Sequence, residues 1–441
     1  MTTTDPSSPA RVPEGEPRSQ SLTLSPVMMT VGRFGALALA LATAPILARA
    51  LGPQGRGVTA TCLSILTIMS IVMALGIPLA VRRRISTGDG RDRDVIRTAR
   101  MYAALTVVPS ALLIIPIHTW LLPGVGDLDF AAFCLSMCAT PLTVSWSIDA
   151  NVLVVRHQFR RVAILAILQG LVSTCVIVAL WLTGRIEVST VLFAFLFGNI
   201  TTFAFGRWWV RGRGGRIRDG ADLIKEGLHL TGGQIADVSS RRLDQVIALP
   251  LLGAHATGIY AVGATMASAT TPVAQTLGNS AFRDLVSGER SLVISTIRRA
   301  MALAFATAAA VGLASWMFIP TVFGEAFSSA RQTALAACLG AALSSVSYVA
   351  AMALAATRQG QAMTAAQVIG LGIGVVLMVP TAIWWGPTGA AIAMATGSMA
   401  TLLISVRRLG LALRETLPRP ADFPAALRSL TGAGPNERPS H

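Results

Sequence analysis

Apolar runs long enough to cross a lipid bilayer recur along almost the whole of this 441-residue chain. Inside hydrocarbon no water satisfies a backbone N–H or C=O, so a spanning segment must be a helix or a strand of a closed barrel. A helix needs roughly 20 apolar residues to cross a core about 30 Å thick, and the runs have that length. The chain is 53% hydrophobic and only 13% charged. A soluble α/β protein of this size would interrupt its elements with charged amphipathic faces, and those are missing. Gly, Pro and charge punctuation divide the sequence into twelve predicted spans, at residues 27–50, 56–80, 98–122, 129–154, 160–183, 187–209, 223–251, 256–282, 296–322, 329–356, 362–385 and 388–406. The first is too long for a signal-peptide core and lacks a small-residue cleavage site, so it is read as a retained helix.

The connections alternate in charge. After spans two, four, six, eight and ten come "RRRISTGDGRDRDVIRTAR", "RHQFRR", "RGRGGRIRDGADLIKEG", "RDLVSGERSLVISTIRR" and "TRQGQ", which with the two tails hold most of the 36 basic residues. The opposite connections hold only Arg49, Arg56, Arg185 and Arg331. The positive-inside rule then predicts a multi-pass protein of the cell membrane with both termini cytoplasmic. Topology and attraction to anionic lipid account for these loops, so the net charge of +15 calls for no nucleic-acid partner. Residues 1–25, rich in Pro, Ser and Thr, are expected as a disordered tail, and residues 411–441 as a second cytoplasmic tail. The five cysteines (Cys62, Cys134, Cys138, Cys175, Cys338) lie inside apolar runs without metal-ligand spacing to histidine. They are expected as buried free thiols, with no disulfide, no metal and no cofactor.

An internal repeat supports the count. "LGPQGRGVTA" (51–60) and "LGAHATGIYA" (252–261) match at an offset of 201 residues, which also sets Leu153 on Leu354 and Gln158 on Gln359. Six is even, so two six-span halves point the same way through the membrane. The fold expected is all-α: two six-helix bundles, residues 26–210 and 223–410, joined by a basic linker at 211–222. The bundles would be related by a pseudo-twofold axis along the membrane normal, with a pathway between them.

Span seven breaks the apolar pattern. In "QIADVSSRRLDQVIALPLL" (234–252), Gln234, Asp237, Arg241, Asp244 and Gln245 fall on one helical arc, with Arg242 at its flank. Asp237 and Arg241 stand four residues apart, and Arg241 and Asp244 three, so both pairs can meet. An arginine at the bilayer centre costs roughly 2.5–3.5 kcal/mol on insertion scales. Such residues face a bundle interior or an aqueous cavity. One reading is an ion-paired seam that only specifies packing. The other is a cationic cavity for an anionic amphiphile, because a guanidinium binds phosphate through two parallel bonds. On that reading Arg241, Arg242, Gln234 and Gln245 face substrate, with Arg33 of span one either joining them or snorkelling to the interface. Asp237 and Asp244 would hold the guanidinium between substrates or bind a coupling cation, H+ or Na+.

"LARALGPQGRGVTATCLSILTIMSIVMALGIPLAVRRRI" and "DQVIALPLLGAHATGIYAVGATMA", the latter with Asp244, Gly253, Gly258 and Tyr260, resemble helices one to two and seven to eight of Wzx-type oligosaccharide flippases. These belong to the multidrug/oligosaccharidyl-lipid/polysaccharide (MOP) exporter superfamily, which also contains the MATE transporters. "LGNSAFRDLV", where a proline-containing apolar ending is expected, departs from the pattern. The resemblance implies a V-shaped pair of bundles, alternating access, and a lipid-linked oligosaccharide on polyprenyl diphosphate as substrate. Prolines 45, 78, 109, 116, 141 and 250 are candidate hinges. A drug/cation antiporter of the superfamily would be expected to carry a carboxylate on span one, and residues 27–50 have none. A membrane enzyme would need acid/base residues in a substantial outer loop, and these loops are short. A non-transporting envelope-assembly protein remains the third alternative.

Overall fold

The computed structural model describes residues 19–88, 92–122, 124–211, 215–217, 220–271, 285, 289–357, 359–419 and 422–424. Among them every regular element is a helix. In chain order these are α1 (Ser19–Ala74), α2 (Ile77–Thr87), α3 (Asp92–Leu105), α4 (Val107–Leu112), α5 (Ile114–Leu121), α6 (Asp127–Cys138) and α7 (Thr140–Val155). Then follow α8 (Phe159–Leu182), α9 (Val188–Trp209), α10 (Gly220–Ser268), α11 (Arg290–Phe323), α12 (Ala330–Ala356), α13 (Gly360–Arg408) and α14 (Leu413–Thr416). α1 starts ahead of the expected first span, inside the segment read as tail.

Among the described residues eight helices are long and apolar enough to span a membrane, and α3–α4 with α5, bent by 43°, make a ninth. The bend falls where Pro116 removes the N–H that would bond the carbonyl of Leu112. Three of the nine are hairpins. α1, α10 and α13 are each interrupted by one glycine in the left-handed region, Gly52 (φ 63), Gly253 (φ 77) and Gly386 (φ 57). Beyond it the chain turns back. Tyr260 bonds Asp244, 16 residues earlier, at 2.6 Å, whereas a straight helix would part them by about 24 Å. A Cβ on Gly370 would stand 2.7 Å from the carbonyl of Gly397 across the α13 hairpin. Nine helices with three hairpins give twelve passes. The part of span eight beyond residue 271, with most of "LGNSAFRDLV", lies outside the described residues.

The repeat is visible in the backbone. Gly52 and Gly253, which make the first turn of each half, stand 201 residues apart. Gln158 donates to the Leu153 carbonyl at 2.9 Å, and Gln359 to Leu354 at 2.8 Å, at the same offset. The halves meet chiefly through α1 and α10. A Cβ on Gly57 would run into the carbonyl oxygen of Ala254, and one on Gly258 into that of Pro53. Under the 201 offset Pro53 maps to Ala254 and Gly57 to Gly258, so each contact is the other's symmetry mate. Such an isologous contact is what a twofold axis produces. It makes the two bundles parallel repeats.

Exposed Trp120, Trp181, Trp384 and Trp385 cluster at the helix ends on the side of these glycine turns. Trp208 and Trp209, with Arg211 and Arg161 over their rings at 5.8 and 5.6 Å, sit at the other end. Aromatic belts of this kind mark both interfaces of a bilayer. The chain is therefore a multi-pass membrane protein. Two expectations need correction. Pro78 and Pro141 occupy the first turns of α2 and α7, where a missing N–H breaks no helical bond, so they start helices rather than bend them. The five cysteines are free, but Cys175 is exposed on the outside of α8 and only Cys62 and Cys338 are buried.

Candidate functional site

A cavity of about 850 Å³ lies between the halves, lined by both arms of α1, by α6–α9, by both arms of α10 and by α12 and α13. The charged residues along its described lining are Arg56, Arg241, Arg242 and Asp244, three cations against one carboxylate. Arg241 lies twelve residues before the Gly253 turn, about 18 Å along the helix and so near the middle of the hydrocarbon core.

The halves touch on both sides of this space. On the glycine-turn side stands the Gly57–Gly258 contact. On the other, a Cβ on Gly227 of α10 would run into the Leu75 carbonyl, and Glu226 accepts from Arg84 Nε at 2.9 Å with Arg83 at 3.6 Å. Both contacts join α1 or α2 of the N-terminal half to α10 of the C-terminal half.

The residues expected from the sequence are placed as follows. Arg241 lines the cavity, and its guanidinium donates to Asp237 Oδ1 at 3.0 and 3.2 Å, the expected i, i+4 pair. Asp237 faces a side pocket of about 70 Å³ within the C-terminal half, and Arg241 and Ser240 connect the two spaces. Asp244 lines the cavity, but its partner is Tyr260, whose hydroxyl donates to Oδ2 at 2.6 Å. Asp244 Oδ1 is buried with no hydrogen-bond partner among the described residues. The hydrogen bond expected from Arg241 is thus made by the returning arm of the hairpin. Arg242 is exposed into the cavity. Gln245 is buried and fastens the halves together, its Oε1 accepting from Ser64 at 2.8 Å and its carbonyl from Thr61 at 3.0 Å. Gln234 is half-buried and lines neither space. Arg33 stands on the first arm of α1, and its side chain lies outside the described residues.

Two features escaped the sequence reading. Arg56, counted there with a connection, is 8% exposed inside the cavity, donates to Thr265 Oγ1 of the other half at 3.2 Å, and keeps a buried Nε without a partner. Its position four residues after the Gly52 turn, one helical turn into the membrane, is the signal that could have shown it. The second feature is a buried ion pair at the basic end of the N-terminal half. Arg100 donates to Asp149 at 2.6 Å and to the Val210 carbonyl at 2.8 Å, and Asp149 is fully buried. Among the described residues no cluster of three or more His, Cys, Asp or Glu could hold a metal.

Comparisons agree with this architecture. No curated protein sequence matches the chain. Among solved structures, lipid II flippase MurJ in an inward closed conformation superposes with a TM-score of 0.74 at 10% identity, covering 92% of each chain. An inward-facing multidrug resistance MATE family transporter of the MOP superfamily gives 0.69 at 14% identity, covering 88% of this chain and 98% of that one. A MOP superfamily transporter from Pyrococcus furiosus gives 0.55 at 14% identity, covering 88% and 95%. At these identities the likeness is one of fold. The sequence model for the polysaccharide biosynthesis protein family matches residues 27–282, more than half of the chain. This membrane protein, with the two-bundle fold of the MOP superfamily, belongs to the polysaccharide biosynthesis protein family.

Proposed function

We propose that the protein is a transporter, not an enzyme, and flips a polyprenyl-diphosphate-linked oligosaccharide across the cell membrane by alternating access, for export of a surface polysaccharide. The observation that carries this reading is the charge of the cavity, where Arg56, Arg241 and Arg242 outnumber Asp244 on the lining even with Arg241 paired to Asp237 of the side pocket. An excess of guanidinium in a membrane cavity is stabilised by an anion, and forked donors match phosphate oxygens. A diphosphate supplies charge to balance them. The cavity, within the roughly 300–1,000 Å³ of small-molecule sites, takes the diphosphate and its first sugars while the polyprenyl chain stays in the bilayer. A cationic drug would meet three like charges there.

Asp237 holds Arg241 when no phosphate is bound, and Tyr260 holds Asp244. The termini and the basic connections face the cytoplasm, and the glycine turns face outside. The phosphate therefore enters from the side closed by Arg84 and Glu226 and leaves past Gly57 and Gly258. Depleting the protein and identifying the lipid-linked glycan held on the cytoplasmic leaflet tests the reading in cells. Purified protein in vesicles should move a fluorescent lipid-diphosphate glycan between leaflets. Vesicles with and without protein that equilibrate it equally would refute transport and favour a non-transporting assembly role.

A further inference from the structure

The cavity has two unlike walls. α10 and the second arm of α1 carry all of its charge. The facing wall, built by α6, α7, α8 and α9, has no charged residue along its described lining and is rich in neutral hydrogen-bonding groups. At its centre Gln169 of α8 and Asn199 of α9 join their amides, Gln169 Nε2 donating to Asn199 Oδ1 at 2.9 Å. An amide offers two acceptor sites and two donors. That single bond leaves the Gln169 carbonyl oxygen and the Asn199 N–H pair without a protein partner among the described residues. Trp146 of α7 lines the same wall, and its indole N–H is buried without a partner. Ser173, 3% exposed, keeps its hydroxyl behind this wall, against Gly198 between α8 and α9.

A buried polar group left unpaired, as the Trp146 N–H is here, costs about 1–3 kcal/mol. The half-buried amides of Gln169 and Asn199 are open to the cavity, so this wall is suited to a ligand that pairs these groups. Its groups cannot neutralise a charge, so phosphate is drawn to the opposite wall. An acyl or prenyl chain would leave the amides and the indole N–H unpaired. A neutral ring bearing adjacent hydroxyls fits. Each hydroxyl both donates and accepts, matching a free amide carbonyl beside a free amide N–H, and the apolar ring face can lie on the indole.

We propose that Trp146, Gln169 and Asn199 form a pyranose-binding subsite facing the arginine wall, so that the N-terminal half holds the sugar of a substrate whose diphosphate is held by Arg241 and Arg242 of α10 together with Arg56 of α1. The subsite rests on the lipid-diphosphate glycan reading and adds the residues that recognise its sugar. It makes the substrate itself a bridge between the bundles.

The test measures the binding of geranyl diphosphate to the purified full-length protein, alone and carrying N-acetylglucosamine, glucose or galactose. For the native protein at least one pyranose should tighten binding by about tenfold, or about 1.4 kcal/mol. Trp146→Leu and Gln169→Leu should abolish that gain and leave the affinity for geranyl diphosphate within twofold. Trp146→Phe keeps a ring without the N–H and should retain about a third of the gain. Arg241→Ala should weaken every probe alike. No gain from any pyranose in the native protein overturns the subsite, as does a gain that survives undiminished in Trp146→Leu or in Gln169→Leu. Failure of the native protein to bind geranyl diphosphate at all would instead strike the flippase reading.

Discussion

Arg56 is the residue whose role changes most between sequence and structure. It follows "LGPQG", a punctuation that reads as a loop, yet Gly52 alone makes the turn and the helix has restarted by Arg56. Because Arg56 reaches Thr265 across the halves, it serves both the cavity's charge and the closed contact. Arg56→Ala and Arg241→Ala should each reduce vesicle transport at least tenfold with normal membrane insertion, since losing a cavity charge does not raise the cost of insertion. Arg56→Lys and Arg241→Lys should retain partial transport, the charge persisting without the fork. Transport assays beside expression levels check this pair. Arg100 should behave differently. Arg100→Ala strands a fully buried Asp149, a loss of about 3–5 kcal/mol. It should appear as a lower melting temperature in detergent. Because the pair is structural, Arg100→Met with Asp149→Leu should restore most of that stability.

Among the elements, the hairpins α1 and α10 do most to shape the site. The α10 turn puts Tyr260 beside Asp244, residues that a straight helix would hold far apart, and the two hairpins together bring Arg56 of α1 beside Thr265 of α10. Their tips meet where Gly57 and Gly258 let two backbones touch. A side chain at that contact must push the tips apart, at about 1–3 kcal/mol for overpacking. Gly258→Val should therefore open the cavity on the glycine-turn side. In a protein whose native cysteines are replaced, Thr265→Cys should react several-fold faster with an impermeant thiol reagent on that side once Gly258→Val is added. An unchanged rate would show that the contact is not a gate. The tight turns were readable, since "LG" recurs at the shared offset. The partner of each tip was not, because helix period says which face is small and not which helix lies against it.

For the whole molecule, parallel repeats require that both halves present their glycine turns to the same side, and the basic connections lie on the other. With native cysteines replaced, an impermeant reagent added to intact cells should label a cysteine at position 126 and not one at position 90. The reverse labelling would invert the topology and with it the proposed direction of transport.

Hydropathy, charge and the repeat determined how many times this chain crosses the membrane, that its halves are parallel, and that span seven carries the polar arc. Those properties follow from local period and from the cost of burying backbone and charge, which each segment meets alone. Which polar residues share a cavity was decided by tertiary structure. Asp244 meets Tyr260 only after the hairpin closes, and Gln245 fastens the halves because Ser64 comes to face it. Arg56 and Trp146 confront the same space from different spans. Such encounters depend on which helices pack together, and a helix surrounded by lipid and other helices is apolar on nearly every side. Its sequence therefore records depth in the membrane clearly and the identity of its neighbours hardly at all.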